Sequence, residues 1–169
     1  LRAILPDAAA RELRATDAVR PRRYDEVAIL FCDIVGFTPY CEGNAPEIVV
    51  AALSALVHRF EDIADVSGLE KIKTVGDAFV ATAGLLRVAD EPVLACIRAG
   101  TEMIAAARAL EPHWEVRVGI HQGAVIAGVM GRRQFQFDLW GDAVNTAARI
   151  SAVAEPGTVT VSGDAWMRV

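Results

Sequence analysis

Two stretches decide how this chain is read: Phe31–Thr38, FCDIVGFT, and Lys73–Phe79, KTVGDAF. Each sets one aspartate, Asp33 or Asp77, beside a glycine and at the end of an apolar run. The run Val27–Cys32 is continuous and includes β-branched residues, as a buried strand requires, and it closes on Asp33. A charge in that place is costly unless it is paired or bound to a cation. Gly36 lets the following backbone bend tightly, so the amides of Ile34 to Thr38 can face a phosphate as a nest. Leu69–Val75 and Phe79–Ala83 read as two strands joined at Gly76-Asp77, a hairpin. Neighbouring strands can bring both carboxylates to one sheet edge. A hard cation such as Mg²⁺ takes one or two carboxylates together with substrate phosphates. Two such cations about 3.5–4 Å apart can activate an oxygen nucleophile and stabilise a leaving oxygen. On these residues alone, a capping role for Asp33 and an ordinary turn role for Asp77 stay open.

The rest of the chain supplies the frame. Leu1–Thr16 carries apolar residues at helical spacing and predicts a short lead-in helix, limited by Pro6. Val19–Asp25 reads as a basic, proline-containing linker. Glu47–Val66 repeats apolar residues every three to four positions and predicts a long amphipathic helix stopped near Gly68. Glu91–Leu110 is a second helix, with Pro92 in its first turn. Val116, Val118 and Ile120 alternate with polar or small residues as a half-buried strand does, and Ala124–Val129 reads as a further strand after Gly123. Gly131–Gln136 is a basic loop and Phe137–Trp140 is short and extended. Asp142–Val153 is a helix with Asp142 as its expected N-cap, and Thr158–Ser162 is a last strand. The order β-α-β-β-α-β, with additions, predicts an α+β fold. It is a split βαβ (ferredoxin-like) sandwich with additional strands, its helices covering one face of a mainly antiparallel sheet.

Composition narrows the function. At 169 residues the chain suffices for one domain and its core, and 53% apolar with 23% charged residues marks it as globular. A net charge of −5 argues against a nucleic-acid partner, which would call for a basic face. Three cysteines without a CxxC pair suggest neither a disulfide framework nor zinc, and point to a reducing, cytoplasmic setting. No apolar stretch reaches the roughly 18 residues of a membrane span. Membrane attachment of a longer parent protein is compatible with this, and the chain reads as cut from one. Lys73-Thr74 follows Ile72 without the glycines of a Walker A loop, so phosphates must be held by another architecture.

A third constellation is Asp138–Arg149, DLWGDAVNTAAR. Asn145 and Arg149, four apart, share a helix face and can together contact a ribose and a charged phosphoryl group; a merely solvated face is the alternative. Lys73 and Asp138 are single charges in otherwise apolar strands, and a surface ion pair between them would contribute little.

FCDIVGFT, EKIKTVGDAF, RVGIHQGAVIAGVMG and DLWGDAVNTAAR, in this order and spacing, resemble the class III nucleotidyl cyclase catalytic domain. The likeness runs from about Tyr24 to Ser162, and the alanine- and arginine-rich style suits a bacterium such as a mycobacterium. The resemblance implies residues 1–23 as lead-in helix and linker and 24–169 as the catalytic domain, truncated at its C-terminus. It implies Asp33 and Asp77, with the Ile34 backbone carbonyl, as ligands of two divalent metal ions, Mg²⁺ or Mn²⁺. Gly36, Phe37 and Thr38 match the triphosphate loop, and Arg117 matches an arginine that contacts phosphates. Lys73 and Asp138 stand where adenylyl cyclases recognise adenine; guanylyl cyclases typically carry glutamate and a small residue there. Asn145 matches the ribose-orienting residue and Arg149 the transition-state arginine. A further phosphate-binding lysine near the domain's C-terminus has no counterpart before Val169.

In this family the site lies between two domains. One chain holding both residue sets therefore implies a head-to-tail homodimer, with Gly131–Gln136 as a dimerisation arm and Leu1–Leu13 as a segment that transmits signals from an upstream regulatory domain. The expected activity is conversion of ATP to 3′,5′-cyclic AMP and pyrophosphate. The alternatives are a guanylyl cyclase, a catalytically inactive nucleotide-binding regulatory domain, or a purely structural sandwich.

Overall fold

A computed structural model describes residues 5–169, so the expected helical positions Leu1 and Ile4 lie outside it. Six strands form one sheet: β1 (Arg22–Ile34), β2 (Glu70–Val75), β3 (Ala78–Ala83), β4 (Val116–Met130), β5 (Gln136–Trp140) and β6 (Val159–Val161). Their order is β2-β3-β1-β4-β5, antiparallel throughout, with β6 added parallel to β4. The helices are α1 (Asp7–Thr16), α2 (Phe37–Gly43), α3 (Pro46–Val66), α4 (Pro92–Ala109), α5 (Asp142–Val153) and the single turn α6 (Gly163–Trp166).

The sheet has apolar residues on both faces, and each face has its own core. Along β1, Ala28, Leu30, Cys32 and Ile34 point to one side, against Phe60 and Ile63 of α3 and Cys96 and Met103 of α4. Val27 and Ile29 point to the other, against Ala9 and Ala10 of α1 and Ala143 and Ala147 of α5. This corrects the expectation of helices on one face: α1 and α5 cover the second. The continuous apolar run Val27–Cys32 already required cover on both sides, since alternate residues of a strand face opposite ways.

Other boundaries also move. The linker expected over residues 19–25 is shorter, because Arg22–Asp25 already belongs to β1, where Arg22, Arg23 and Tyr24 pair with Ala127, Ile126 and Val125. The two strands expected around Gly123 are one, β4, paired with β1 on both sides of Gly123, with a shift of register between Tyr24 and Val27. Gly141, not Asp142, caps α5; Asp142 sits in the first turn, where its charge favours the helix dipole. In α3 the apolar stripe is buried only from Leu56 onward, and Ile48 is 54% exposed.

Candidate active site

β1 delivers Asp33 and the β2–β3 hairpin delivers Asp77 to the same end of the sheet. Phe79 follows the turn, is fully buried, and meets Phe60 edge-on at 5.6 Å, which pins the hairpin to α3. Asp77 then reaches across, and its Oδ2 accepts from the Ile34 amide at 3.1 Å. Arg117, directly opposite Asp33 on β4, donates from Nε to Asp33 Oδ1 at 2.9 Å. Asp33, Ile34, Asp77 and Arg117 thus form one bonded group.

The loop after Asp33 turns at Gly36, whose φ of 73° is the left-handed conformation that glycine adopts at little cost. Phe37 and Thr38 open α2, a short helix not anticipated from the sequence, and Phe37 and Tyr40 lie edge-on to Trp114 at 6.0 and 5.0 Å. The expected nest of amides from Ile34 to Thr38 is smaller than its sequence suggests. Ile34 N–H is spent on Asp77 and Val35 N–H on the Glu115 carbonyl at 2.9 Å. The amides of Gly36, Phe37 and Thr38 remain at a helix start, where backbone donors have no intrahelical acceptor.

Lys73 and Asp138 come from opposite ends of the strand order, yet Lys73 Nζ lies 2.8 Å from Asp138 Oδ1 and 3.0 Å from Oδ2. The two edge strands of this path, β2 and β5, are themselves in contact. A local device aims the lysine. In the β2–β3 ladder Lys71 opposes Ala81 but Lys73 opposes Val80, so one extra residue, Ile72, is inserted as a β-bulge. Cross-strand partners share a face. Lys71 therefore sides with the α3/α4 core, where it bonds Glu61, and Lys73 with the α1/α5 core, which contains Val80. Without the bulge both lysines would share one side. Asp138 is only 8% exposed, and its Oδ1 also accepts from the Leu139 amide at 2.7 Å. The pair is a half-buried, doubly bonded contact rather than a loose surface one.

Asn145 and Arg149 lie exposed on α5, and among the described residues neither side chain has a hydrogen-bond or ion-pair partner. Two glycines of the RVGIHQG stretch determine how closely α5 can lie on the sheet. A Cβ on Gly119 would stand 2.2 Å from the Ser151 amide nitrogen and 2.8 Å from the Ala147 carbonyl oxygen; one on Gly123 would stand 2.8 Å from Ala143 Cβ. Sequence reading took Gly119 only as a small member of an alternating strand and Gly123 as the break before a further strand. The signal available was their spacing on one strand face opposite alanines at helical spacing.

The donor set fits a hard cation. Two carboxylates and a neighbouring carbonyl are all oxygen ligands, and they leave coordination positions for phosphates. Among the described residues no cluster of three or more His, Cys, Asp or Glu offers a self-sufficient metal cage.

The chain belongs to the adenylate and guanylate cyclase catalytic domain family, whose sequence model matches residues 19–168. An adenylate cyclase of Mycobacterium tuberculosis is 35% identical over 171 residues, 98% of this chain and 39% of that protein. Human guanylyl cyclase C is 33% identical over 168 residues, 95% of this chain and 16% of that protein. The chain thus spans well under half the length of these relatives. Among solved structures, the catalytic core of a rhodopsin-guanylyl cyclase with converted specificity, in complex with ATPαS, superposes with a TM-score of 0.85 at 27% identity, covering 88% of this chain and 83% of that one. Among the described residues no helix is long and apolar enough to cross a membrane.

Proposed function

We propose that this domain converts ATP to 3′,5′-cyclic AMP and pyrophosphate at a site completed by a second copy of the chain. The observation that carries the choice of ATP is the Lys73–Asp138 pair, held at 2.8 Å with Asp138 almost buried. The lysine can donate to an adenine ring nitrogen while the aspartate accepts from the 6-amino group. Guanine reverses that pattern and would leave buried polar groups mismatched, which is costly.

Asp33, Asp77 and the Ile34 carbonyl would hold two divalent cations, Mg²⁺ or Mn²⁺, which supply activation of the ribose 3′-hydroxyl and neutralisation of the phosphates. The chain's own residues do the rest. The amides of Gly36, Phe37 and Thr38, with Arg117, bind the triphosphate. Asn145 orients the ribose so that its 3′-oxygen stands in line with the α-phosphorus. Arg149 stabilises the negative charge that develops on the α-phosphoryl group. No side chain is assigned as a dedicated general base.

Asn145 and Arg149 are exposed and unpartnered among the described residues, which supports a head-to-tail homodimer in which α5 of one copy completes the site of the other. Two equivalent sites would result. An upstream regulatory domain and a role in signalling belong to the same reading, since the relatives are much longer than this chain.

Product analysis with ATP and GTP, each with Mg²⁺ or Mn²⁺, across a protein dilution series tests this. Cyclic AMP should dominate, and specific activity should fall on dilution. Preference for GTP would establish a guanylyl cyclase instead, a reading kept alive by relatives of both kinds. Nucleotide-dependent thermal stabilisation without product would mark an inactive binding domain, and neither would leave a structural sandwich.

A further inference from the structure

Arg117 makes two bonds at once. Its Nε donates to Asp33 Oδ1 at 2.9 Å, and its Nη1 donates to the Ala152 carbonyl at 2.9 Å. Ala152 lies in the last turn of α5, where carbonyls lack intrahelical donors and carry the negative end of the helix dipole. The guanidinium therefore sits between a carboxylate and a helix C-terminus, and its planar fork is held at both sides. The Arg117 and Asp33 side chains are 30% and 22% exposed, so this is a fixed, partly desolvated contact rather than a floppy surface pair.

We propose that Arg117 is a displaceable counter-cation for Asp33, so that metal and triphosphate load together rather than singly. This rests on the reading of Asp33 as a metal carboxylate. In the nucleotide-free chain the guanidinium already occupies Oδ1, one of the two oxygens Asp33 can offer to a divalent ion. An ion arriving alone must displace that donor or sit beside a like charge. A triphosphate changes the balance, because it offers anionic oxygens both to the guanidinium and to the ion. Arg117 then leaves Asp33 for the phosphates, and the carboxylate is freed for metal. Coupling of this kind is reciprocal: the anion raises metal affinity by the factor by which the metal raises anion affinity. The bond to Ala152 keeps the guanidinium beside the site, so it swings between two anionic partners and does not wander into solvent.

The test is Mn²⁺ binding in the absence of nucleotide, read from the electron paramagnetic resonance signal of the free ion, in the full chain and two variants. Arg117→Gln should bind Mn²⁺ alone about tenfold more tightly, within the usual range of such couplings. Arg117→Lys, which keeps the charge, should stay near the wild type. Equal affinity in a folded Arg117→Gln variant would overturn the proposal.

A second measurement needs no variant. The Arg117 Nε–H resonance of the wild-type chain should hold steady with Mg²⁺ alone and shift when Mg²⁺ and inorganic tripolyphosphate are added together. A resonance that moves with Mg²⁺ alone, or stays fixed with both, would equally overturn it. The outcome is separable from the catalytic reading. Loss of Mn²⁺ binding in Asp33→Ala reports on the metal site and product formation reports on the activity, whereas only the Arg117 comparisons report on the counter-cation.

Discussion

The sheet end that carries Asp33 and Asp77 and the helix that carries Asn145 and Arg149 are opposites. At the sheet end each carboxylate already has a donor from within the chain, Arg117 for Asp33 and the Ile34 amide for Asp77. On α5 the two polar side chains point outward with no partner among the described residues. The first region is internally satisfied and the second is not. Under the proposed shared site, the second is a set of tools presented to the sheet end of another copy.

The sharpest way to break this contrast is to remove one member from each side. Asp33→Ala alone, or Asp77→Ala alone, should abolish metal-dependent cyclisation, and so should a homodimer of Arg149→Ala to the limit set below. Mixing Asp33→Ala chains with Arg149→Ala chains should restore part of the activity, because one site of the mixed dimer keeps both Asp33 and Arg149. Mixed dimers that form, shown by mass, yet stay inactive would mean that both regions serve the same copy.

Next in size is Arg149→Ala by itself. Loss of one preorganised electrostatic donor costs roughly 10²–10³ in kcat. Because the side chain makes no bond in its own chain, the melting temperature should not move. A stability loss matching the activity loss would assign Arg149 to the fold instead.

Gly119→Ala probes how the tool-bearing helix is seated. The new Cβ would fall 2.2 Å from the Ser151 nitrogen, a backbone atom that can yield only if α5 moves. Overpacking of this kind costs about 1–3 kcal/mol, or a Tm lower by several degrees. Activity should fall further than stability, since Asn145 and Arg149 ride on the displaced helix. An unchanged melt and unchanged kcat would show that α5 is not seated on β4 through Gly119.

The smallest effect concerns Glu70, at the buried start of the strand that ends beside Asp77. Burial pushes its carboxyl above the ordinary 4.5, opposed by donors from the Arg87 amide, the Thr82 hydroxyl and the Leu86 amide. The folded chain therefore keeps this proton to higher pH than the unfolded chain does. The associated stability is fully present below about pH 4.5 and fades as pH rises through the folded value. Glu70→Gln should remove that slope, so the wild type should lose ground to the variant from pH 4.5 upward in paired thermal melts. Parallel curves would place the carboxyl at its ordinary value.

Much of this molecule can be read locally. A continuous apolar run marks β1, which is covered on both faces, whereas period-two alternation marks the start of β4 and three-to-four spacing marks α3. The Gly76-Asp77 turn announces the β2–β3 hairpin. The two aspartates stand out because a charge closing an apolar run needs a counterpart. The short helices α2 and α6 are not readable, since four to seven residues hold too little pattern to separate a turn from a helix.

The sequence by itself determined most of the longer elements and the two aspartates that close apolar runs. Tertiary structure decided where they point. Strict alternation puts Lys71 and Lys73 on one face, and only the extra residue in the β2–β3 ladder sends Lys73 toward Asp138, 65 positions away. Cover on the second sheet face came from α1 and α5, the close seat of α5 from Gly119 and Gly123, and the cation on Asp33 from its neighbour in register on β4. These are pairings between distant segments. Local propensity and periodicity report which way a residue faces within its own element, whereas register, twist and helix seating exist only once the elements meet.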